Sequence, residues 1–374
     1  MNKIPVGVLG ATGTVGQRFV QLLADHPWFE VVAVTGSDRT VGRPYGEGVN
    51  WLMPGRVPAR AAELIVQPTT PNLDIPGRPP VVFSALPTSE AKEWEPQFAA
   101  AGYAVVTNTS VFRMTPNVPL LIPEVNPDHT CLIPTQQAEN KWPGFIVASP
   151  NCSTTSAILP LKVFQEAFGV TAAIITTMQA ISGAGYPGVS SLDIYDNVVP
   201  HIGGEDEKLQ NEPKKLLGDV RDGHMRMADI AVSAQANRVP VIDGHLASVS
   251  VKLGQPASAD EAIAALRAWQ PPAVCAQLPS TPKELLIYRD EPDRPQPRRD
   301  RDAGDGLAWT CLLYTSDAAD ERSSVDLGGR RILNNTSTHV HVYRMSRVHH
   351  SSHRRPTYIY KPADMHRPSQ REKC

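Results

Sequence analysis

Gly10-Ala11-Thr12-Gly13-Thr14-Val15-Gly16-Gln17 lies between the apolar run Ile4–Leu9 and an amphipathic stretch, 14–24, that carries Val15, Phe19, Val20, Leu22 and Leu23. The apolar run reads as a buried strand, the amphipathic stretch as a helix, and Val31-Val32-Ala33-Val34 as a second strand. A glycine-rich turn in that setting bends tightly and lets backbone approach a pyrophosphate, while the helix start supplies free N–H donors. The spacing is Gly-x-x-Gly-x-x-Gly rather than Gly-x-Gly-x-x-Gly, and a glycine turn alone is a weak sign. Its βαβ context favours dinucleotide binding, with Gly10, Thr12, Gly13, Thr14 and Val15 as candidate contacts. Just beyond the second strand, Ser37 and Arg39 suit a 2′-phosphate and hence NADP(H). Asp38 keeps NAD open, and Arg39 alone is an ordinary solvated loop charge.

Further along, Val81-Val82-Phe83-Ser84-Ala85-Leu86-Pro87 gives a strand and loop, Glu90 to Ala101 a helix, and Tyr103 to Thr107 another strand. Strands alternating with helices predict an α/β fold, a Rossmann-type doubly wound parallel sheet over residues 1–151. The texture changes at Ala172. Ala173–Gln179 and Leu246–Leu253 alternate like half-covered strands, and Asp260 to Trp269 reads as a helix. Residues 152–310 are expected to form a second α+β domain with a mixed sheet, serving catalysis and dimerisation.

Ser149-Pro150-Asn151-Cys152-Ser153-Thr154-Thr155 joins the apolar run Phe145–Ala148 to a helix-like segment beginning at Ser156. A cysteine at such a turn meets the positive end of the helix dipole, which stabilises a thiolate. A buried cysteine more often behaves as a small hydrophobe, but the Asn, Ser and Thr around Cys152 suit a polar turn. Three more clusters carry candidate chemistry. Gln179–Gly188 is a glycine-rich loop after a strand that holds Ser182 and Gly183; an ordinary connection explains it equally well. Glu205 and Lys208 share a helical face: either a surface ion pair or a grip on an amino group and an anion. Arg238 offers a bidentate fork for a carboxylate, and His245 a proton shuttle near neutral pH. On one straight strand those two face opposite ways, so a bend near Pro240 or Gly244 is expected.

Composition bounds the function. The chain has 374 residues, 41% hydrophobic and 20% charged, enough for two domains with real cores. No run is long enough to span a membrane, and the strand pattern starts too early for a signal peptide. Five cysteines without paired spacing point to a reducing, cytoplasmic setting. The net charge of −2 hides an asymmetry, with 11 basic and 6 acidic residues in 311–374 against 25 and 32 before them. Six of the 11 histidines also lie in that last segment, at 339, 341, 349, 350, 353 and 366. Cys311 to Glu321 resembles the conceptual translation of a transposase-type sequencing adapter. Natural coding sequence is therefore expected to stop near Thr310, with 311–374 a disordered, non-native read-through tail. A nucleic-acid-binding tail or a metal tract competes weakly, because the basic residues are diffuse and the histidines lack ligand spacing. No metal, nucleic-acid or membrane partner is expected.

Taken together, the motifs resemble aspartate-semialdehyde dehydrogenases of the archaeal and fungal-like branch, from Ile4 to about Thr310. They are Gly10–Gln17, Ser84-Ala85-Leu86-Pro87, Asn108 through Phe112-Arg113-Met114, Asn151-Cys152-Ser153, Gln179–Gly183, Glu205 with Lys208, and Arg238 with His245. The resemblance implies NADPH-dependent reduction of β-aspartyl phosphate to aspartate semialdehyde and phosphate, in lysine, threonine and methionine biosynthesis. It makes Cys152 the nucleophile that forms a thioester, His245 the acid/base, and Gln179 the residue that orients the reacting group. Arg113, Asn151 and Lys208 become phosphate ligands, Arg238 the ligand of the substrate carboxylate, and Glu205 that of its amino group. Ser84, Ala85, Leu86, Pro87, Ser182 and Gly183 join the cofactor contacts, and a homodimer or homotetramer is implied. The family continues with a strand and a long helix that places an Asn near the nicotinamide. Residues 311–374 hold only the superficial echo Asn334-Asn335-Thr336, so the chain is expected to be incomplete. Malonyl-CoA reductase or another acyl-phosphate or acyl-thioester reductase of the same superfamily is the nearest alternative, and a non-catalytic dinucleotide- or nucleic-acid-binding module with a genuine basic tail the more distant one.

Overall fold

The computed structural model describes residues 3–75, 80–314 and 338–344. The N-terminal half is a six-stranded parallel sheet in the order β3-β2-β1-β4-β5-β6. Its strands are β1 Ile4–Leu9, β2 Phe29–Thr35, β3 Val66–Gln67, β4 Val81–Ser84, β5 Ala104–Thr107 and β6 Phe145–Ala148. Val6, Val8 and Leu9 of β1 are fully buried, as a central parallel strand covered on both faces requires. The strand order reverses between β1 and β4, and the loops beyond their carboxyl ends part there into a crevice.

The glycine turn works as its sequence implies, but its glycines differ in role. Gly10 has φ +69°, and a Cβ there would lie 2.8 Å from the Ala85 carbonyl oxygen of the loop after β4. At Gly16 a Cβ would meet the Gly10 carbonyl oxygen at 2.1 Å, so the helix Thr14–Leu23 packs directly onto the turn.

The second sheet is mixed, in the order β10-β7-β11-β14-β13-β12. It contains β7 Val170–Gln179, β10 Ala231–Arg238, β11 His245–Leu253, β12 Leu286–Tyr288, β13 Trp309–Tyr314 and β14 Thr338–Arg344. A small ribbon, β8 Asp219–Arg221 with β9 His224–Arg226, stands apart from it. The helix Cys152–Phe168 joins the two halves. Its Ile158, Leu159, Val163 and Phe164 belong to one apolar core with Leu9, Val105 and Ile146 of the first sheet and Ile175, Val249 and Trp309 of the second.

The expected bend takes a definite form here, and one other expectation changes. Arg238 and His245 do not share a strand: Arg238 ends β10, His245 begins β11, and residues 239–244 connect them. The bend is a strand-to-strand connection, with Gly244 at φ +100°. Nor does structure stop at Thr310. β13 runs through it, and β14 pairs antiparallel with both β11 and β13. Thr338-His-Val-His-Val-Tyr-Arg alternates like a strand, and between two strands with unpaired edges its backbone completes both ladders. The rest of the expected tail, with the histidines at 349, 350, 353 and 366 and with Asn334–Thr336, lies outside the described residues.

Candidate active site

The loops after β1, β4, β5 and β6 face the end of β7 and the start of the helix Glu205–Leu216 across a cavity of about 300 Å³. Val15, Ala85, Leu86, Pro87, Arg113 and Asn151 line it from the first domain, Cys152 from the start of the connecting helix, and Gln179, Gly183, Glu205 and Lys208 from the second domain.

Cys152 is the first residue of its helix, and Asn151 is the N-cap. The Asn151 Oδ1 accepts from the backbone N–H groups of Ser153 at 2.9 Å and Thr154 at 3.4 Å. Its Nδ2 donates to both oxygens of Glu205, at 3.1 and 3.0 Å. Burial alone would push the Cys152 thiol up. The charge and hydrogen bond of His245, with the charge of Arg113, outweigh it and hold the thiol below its ordinary range, against some opposition from Glu205.

His245 reaches the thiol because strand pairing puts it there. Arg238 stands opposite Gln179 in the β10–β7 ladder, and Leu246 opposite Met178 in the β11–β7 ladder. Gln179, Arg238 and His245 thus meet at one end of three neighbouring strands. The Ala180 backbone nitrogen lies 3.0 Å from His245 Nδ1, which leaves Nε2 as the ring nitrogen for the sulfur. Gly183 packs between the partners: a Cβ there would lie 2.8 Å from Arg238 Nη1 and 3.2 Å from His245 Cε1.

Glu205 is the hub. Besides Asn151 it accepts from Ser153 Oγ at 3.0 Å, Gln179 Nε2 at 3.2 Å and Lys208 Nζ at 2.8 Å. Burial opposes its charge, but the Lys208 ion pair and the two side-chain hydrogen bonds hold its carboxyl below the usual range. Arg113 is buried; its Nη1 donates to Glu212 at 3.0 Å and its Nη2 to the Asn108 carbonyl at 2.9 Å. Its Nε has no partner among the described residues. Arg238, also buried, places Nη1 2.8 Å from the Ala180 carbonyl oxygen.

Several expected roles shift. Ser84 is fully buried, and its hydroxyl donates to Glu95 at 2.7 Å instead of facing the cavity. The reason is the strand's period of two, which turns Ser84 into the core while Ala85 begins the loop. The Asn151 amide is committed to capping and to Glu205, so it is a poor free ligand for phosphate. Glu205 likewise already takes four side-chain donors. Gly10, Thr12, Gly13, Thr14 and Val15 stand at the glycine turn as expected, and Ser37 and Arg39 are exposed just beyond β2. Ser182 is exposed and donates its N–H to the Ile242 carbonyl at 3.0 Å. Sequence reasoning missed Glu212 and Lys215, although Glu205, Lys208, Glu212 and Lys215 recur at the three- and four-residue steps of one helical face. No cluster suited to a metal occurs among the described residues, and no described helix is long and apolar enough to cross a membrane.

Residues 5–133 match the family model for the NAD-binding domain of semialdehyde dehydrogenases, and residues 161–312 match the model for their dimerisation domain. The chain is 49% identical over 309 residues to an aspartate-semialdehyde dehydrogenase of Archaeoglobus fulgidus, covering 82% of this chain and 88% of that protein. It belongs to the aspartate-semialdehyde dehydrogenase family. The family's fungal members are close as well: the Schizosaccharomyces pombe protein is 42% identical over 337 residues, 88% of this chain and 93% of that one. The crystal structure of the Candida albicans family member with NADP superposes with a TM-score of 0.78 at 36% identity, covering 92% of this chain and 94% of that chain.

Proposed function

We propose that this chain reduces β-aspartyl phosphate to aspartate semialdehyde and phosphate with NADPH, through a thioester on Cys152. The single observation that carries the proposal is the Cys152 thiol, lowered by His245 at a helix start and facing Arg113 in the same cavity. The cofactor cradle fits a dinucleotide: Gly10 turns with φ +69°, and the helix that follows starts at Gly13 with no side-chain cap. Gly10 to Val15 would hold the pyrophosphate, and Ser37 with Arg39 the 2′-phosphate; the bound cofactor supplies the hydride.

The Cys152 thiolate attacks the acyl carbon and a C–S bond forms. The C–O bond to phosphate breaks, and phosphate leaves with the electron pair, held by Arg113 and Lys208. The Cys152 N–H, one of the helix's unpaired first donors, stabilises the oxyanion. After reduction of the thioester the oxyanion re-forms a carbonyl, and the C–S bond breaks toward sulfur. His245 Nε2–H donates to the departing thiolate, and the Ala180 backbone contact at Nδ1 holds the ring in place. Arg238 takes the substrate carboxylate and Gln179 orients the reacting carbonyl.

The test is phosphate-dependent reduction of NADP by aspartate semialdehyde, beside Cys152→Ala. Reduction that ignores phosphate, or that survives the substitution, sinks the proposal. Self-association through the second domain is part of it: Leu192, Tyr195 and Ile242 are 90%, 72% and 72% exposed on that domain. Analytical ultracentrifugation is expected to show a homodimer or homotetramer, and a monomer at micromolar concentration would overturn this. The free cysteines Cys131, Cys152, Cys275 and Cys311 suit a reducing compartment, so we place the enzyme in the cytoplasm. Residues beyond about 310 are proposed to be read-through sequence; β14 pairs through its backbone, which any β-competent segment can do. Source DNA running without interruption or adapter across that codon would refute it.

A further inference from the structure

We propose that Glu212 is a positioning residue that ties the phosphate-binding guanidinium to the nucleophile's turn. The inference rests on the proposed role of Arg113. The Glu212 side chain is 2% exposed, yet it carries a carboxylate 61 residues along the chain from the turn it touches. Oε1 accepts from Arg113 Nη1 at 3.0 Å, and Oε2 accepts from the Asn151 N–H at 2.7 Å. One rigid group therefore spans Arg113 and the residue immediately before Cys152. Burying a carboxylate is costly unless its partners are charged and well placed, and both of these partners belong to the catalytic edge.

One turn further along the same helix, Lys215 is fully buried and holds the other end of Arg113. Its ammonium donates to the carbonyls of Arg113 at 2.7 Å, Thr115 at 2.7 Å and Val118 at 2.8 Å, which uses all three of its hydrogens. Glu212 thus takes the Arg113 guanidinium, and Lys215 its backbone. Arg113 lines the same cavity as Cys152, so the rest of the guanidinium is placed for an anion at a fixed offset from the sulfur. A carboxylate serving only to weld the two domains would need neither the Arg113 fork nor the N–H next to the nucleophile.

The experiment measures Glu212→Gln in the full chain, oxidising aspartate semialdehyde with NADP and varying phosphate. The amide can still accept from Asn151 N–H but turns an NH₂ toward Arg113. The expected result is a KM for phosphate raised about tenfold or more, with kcat at saturating phosphate within about threefold and KM for NADP within about twofold. A purely structural role would instead lower the active fraction and kcat and leave the phosphate KM alone, which overturns the inference. In an Arg113→Lys background the same substitution is expected to add little, because the two residues act as a unit; full additivity overturns it. Glu212→Asp keeps the charge but reaches one partner only, so an intermediate KM is expected, and it serves if the Gln variant does not fold. Protection of Cys152 from iodoacetamide by inorganic phosphate reads the same ratio without turnover. Phosphate protection that depends on Glu212, in a wild type lacking phosphate-dependent turnover, would sink the proposed reaction and keep this inference.

Discussion

Two helices begin at the same edge of the first sheet, and they are finished differently. The helix after β1 starts at Gly13 with no side-chain cap, leaving its first N–H groups to a ligand. The helix after β6 starts at Asn151, whose side chain takes the Ser153 and Thr154 N–H groups while the Cys152 sulfur stands at the first helical position. The dipole is the same at both ends. The cap distinguishes the two: in the proposed function the uncapped end receives a diphosphate and the capped end holds a thiolate. At the second helix the cap residue is itself held by Glu205 and Glu212 from the other domain, so the setting of Cys152 depends on both halves of the chain.

The sharpest way to break this contrast is Cys152→Ala. It should lower phosphate-dependent NADP reduction by about 10⁵-fold, as the loss of a covalent nucleophile does, while NADP binding measured by fluorescence titration persists. Loss of NADP binding as well would mean that the two helix starts are not separable. His245→Asn is next, with kcat expected to fall by about 10² to 10⁴-fold. The sign of its pH effect follows from the thiol: His245 lowers it, so removing the imidazole must raise it. The pH at which iodoacetamide alkylation of Cys152 reaches half its maximum rate should therefore move upward, and a downward move would contradict the pairing.

Gly16→Ala probes the first helix, because its Cβ would come within 2.1 Å of the Gly10 carbonyl oxygen. A loss of about 3 kcal/mol in urea unfolding is expected, from overpacking against backbone that cannot retreat. Gly13→Ala, with its nearest atom at 3.5 Å, should cost no more than about 1 kcal/mol and act mainly on the KM for NADP. The effect at the second cap is of similar size: Asn151→Ala should cost about 1 kcal/mol of stability. If Asn151→Ala left the alkylation profile of Cys152 unchanged, the cap would not matter to the thiol.

Much of this was legible from local sequence, because the features were local. The glycine turn declared itself between a strand and a helix, and Asn151-Cys152-Ser153 between the next such pair. Glu205 and Lys208 are legible as neighbours on one helical face, but Glu212 and Lys215 further along it are not, because their partners lie about 60 and 100 residues away. Ser84 was misplaced because a motif match ignores which face of a strand points inward. β14 was missed because its alternation is brief and set among scattered Arg and His residues.

The amino-acid sequence by itself determined the α/β opening, the glycine cradle, the thiol at a helix start and the roster of charged residues around it. Each depends on neighbours a few positions apart. Tertiary structure decided which of those charges meet. Gln179, Arg238 and His245 converge only because β7 pairs with β10 on one side and β11 on the other, and strand partners are chosen by burial across the whole sheet. It also decided which groups remain free for a ligand. The Asn151 amide and the Glu205 carboxylate spend themselves on partners within the fold, because a buried polar group left unpaired costs more than one that is used.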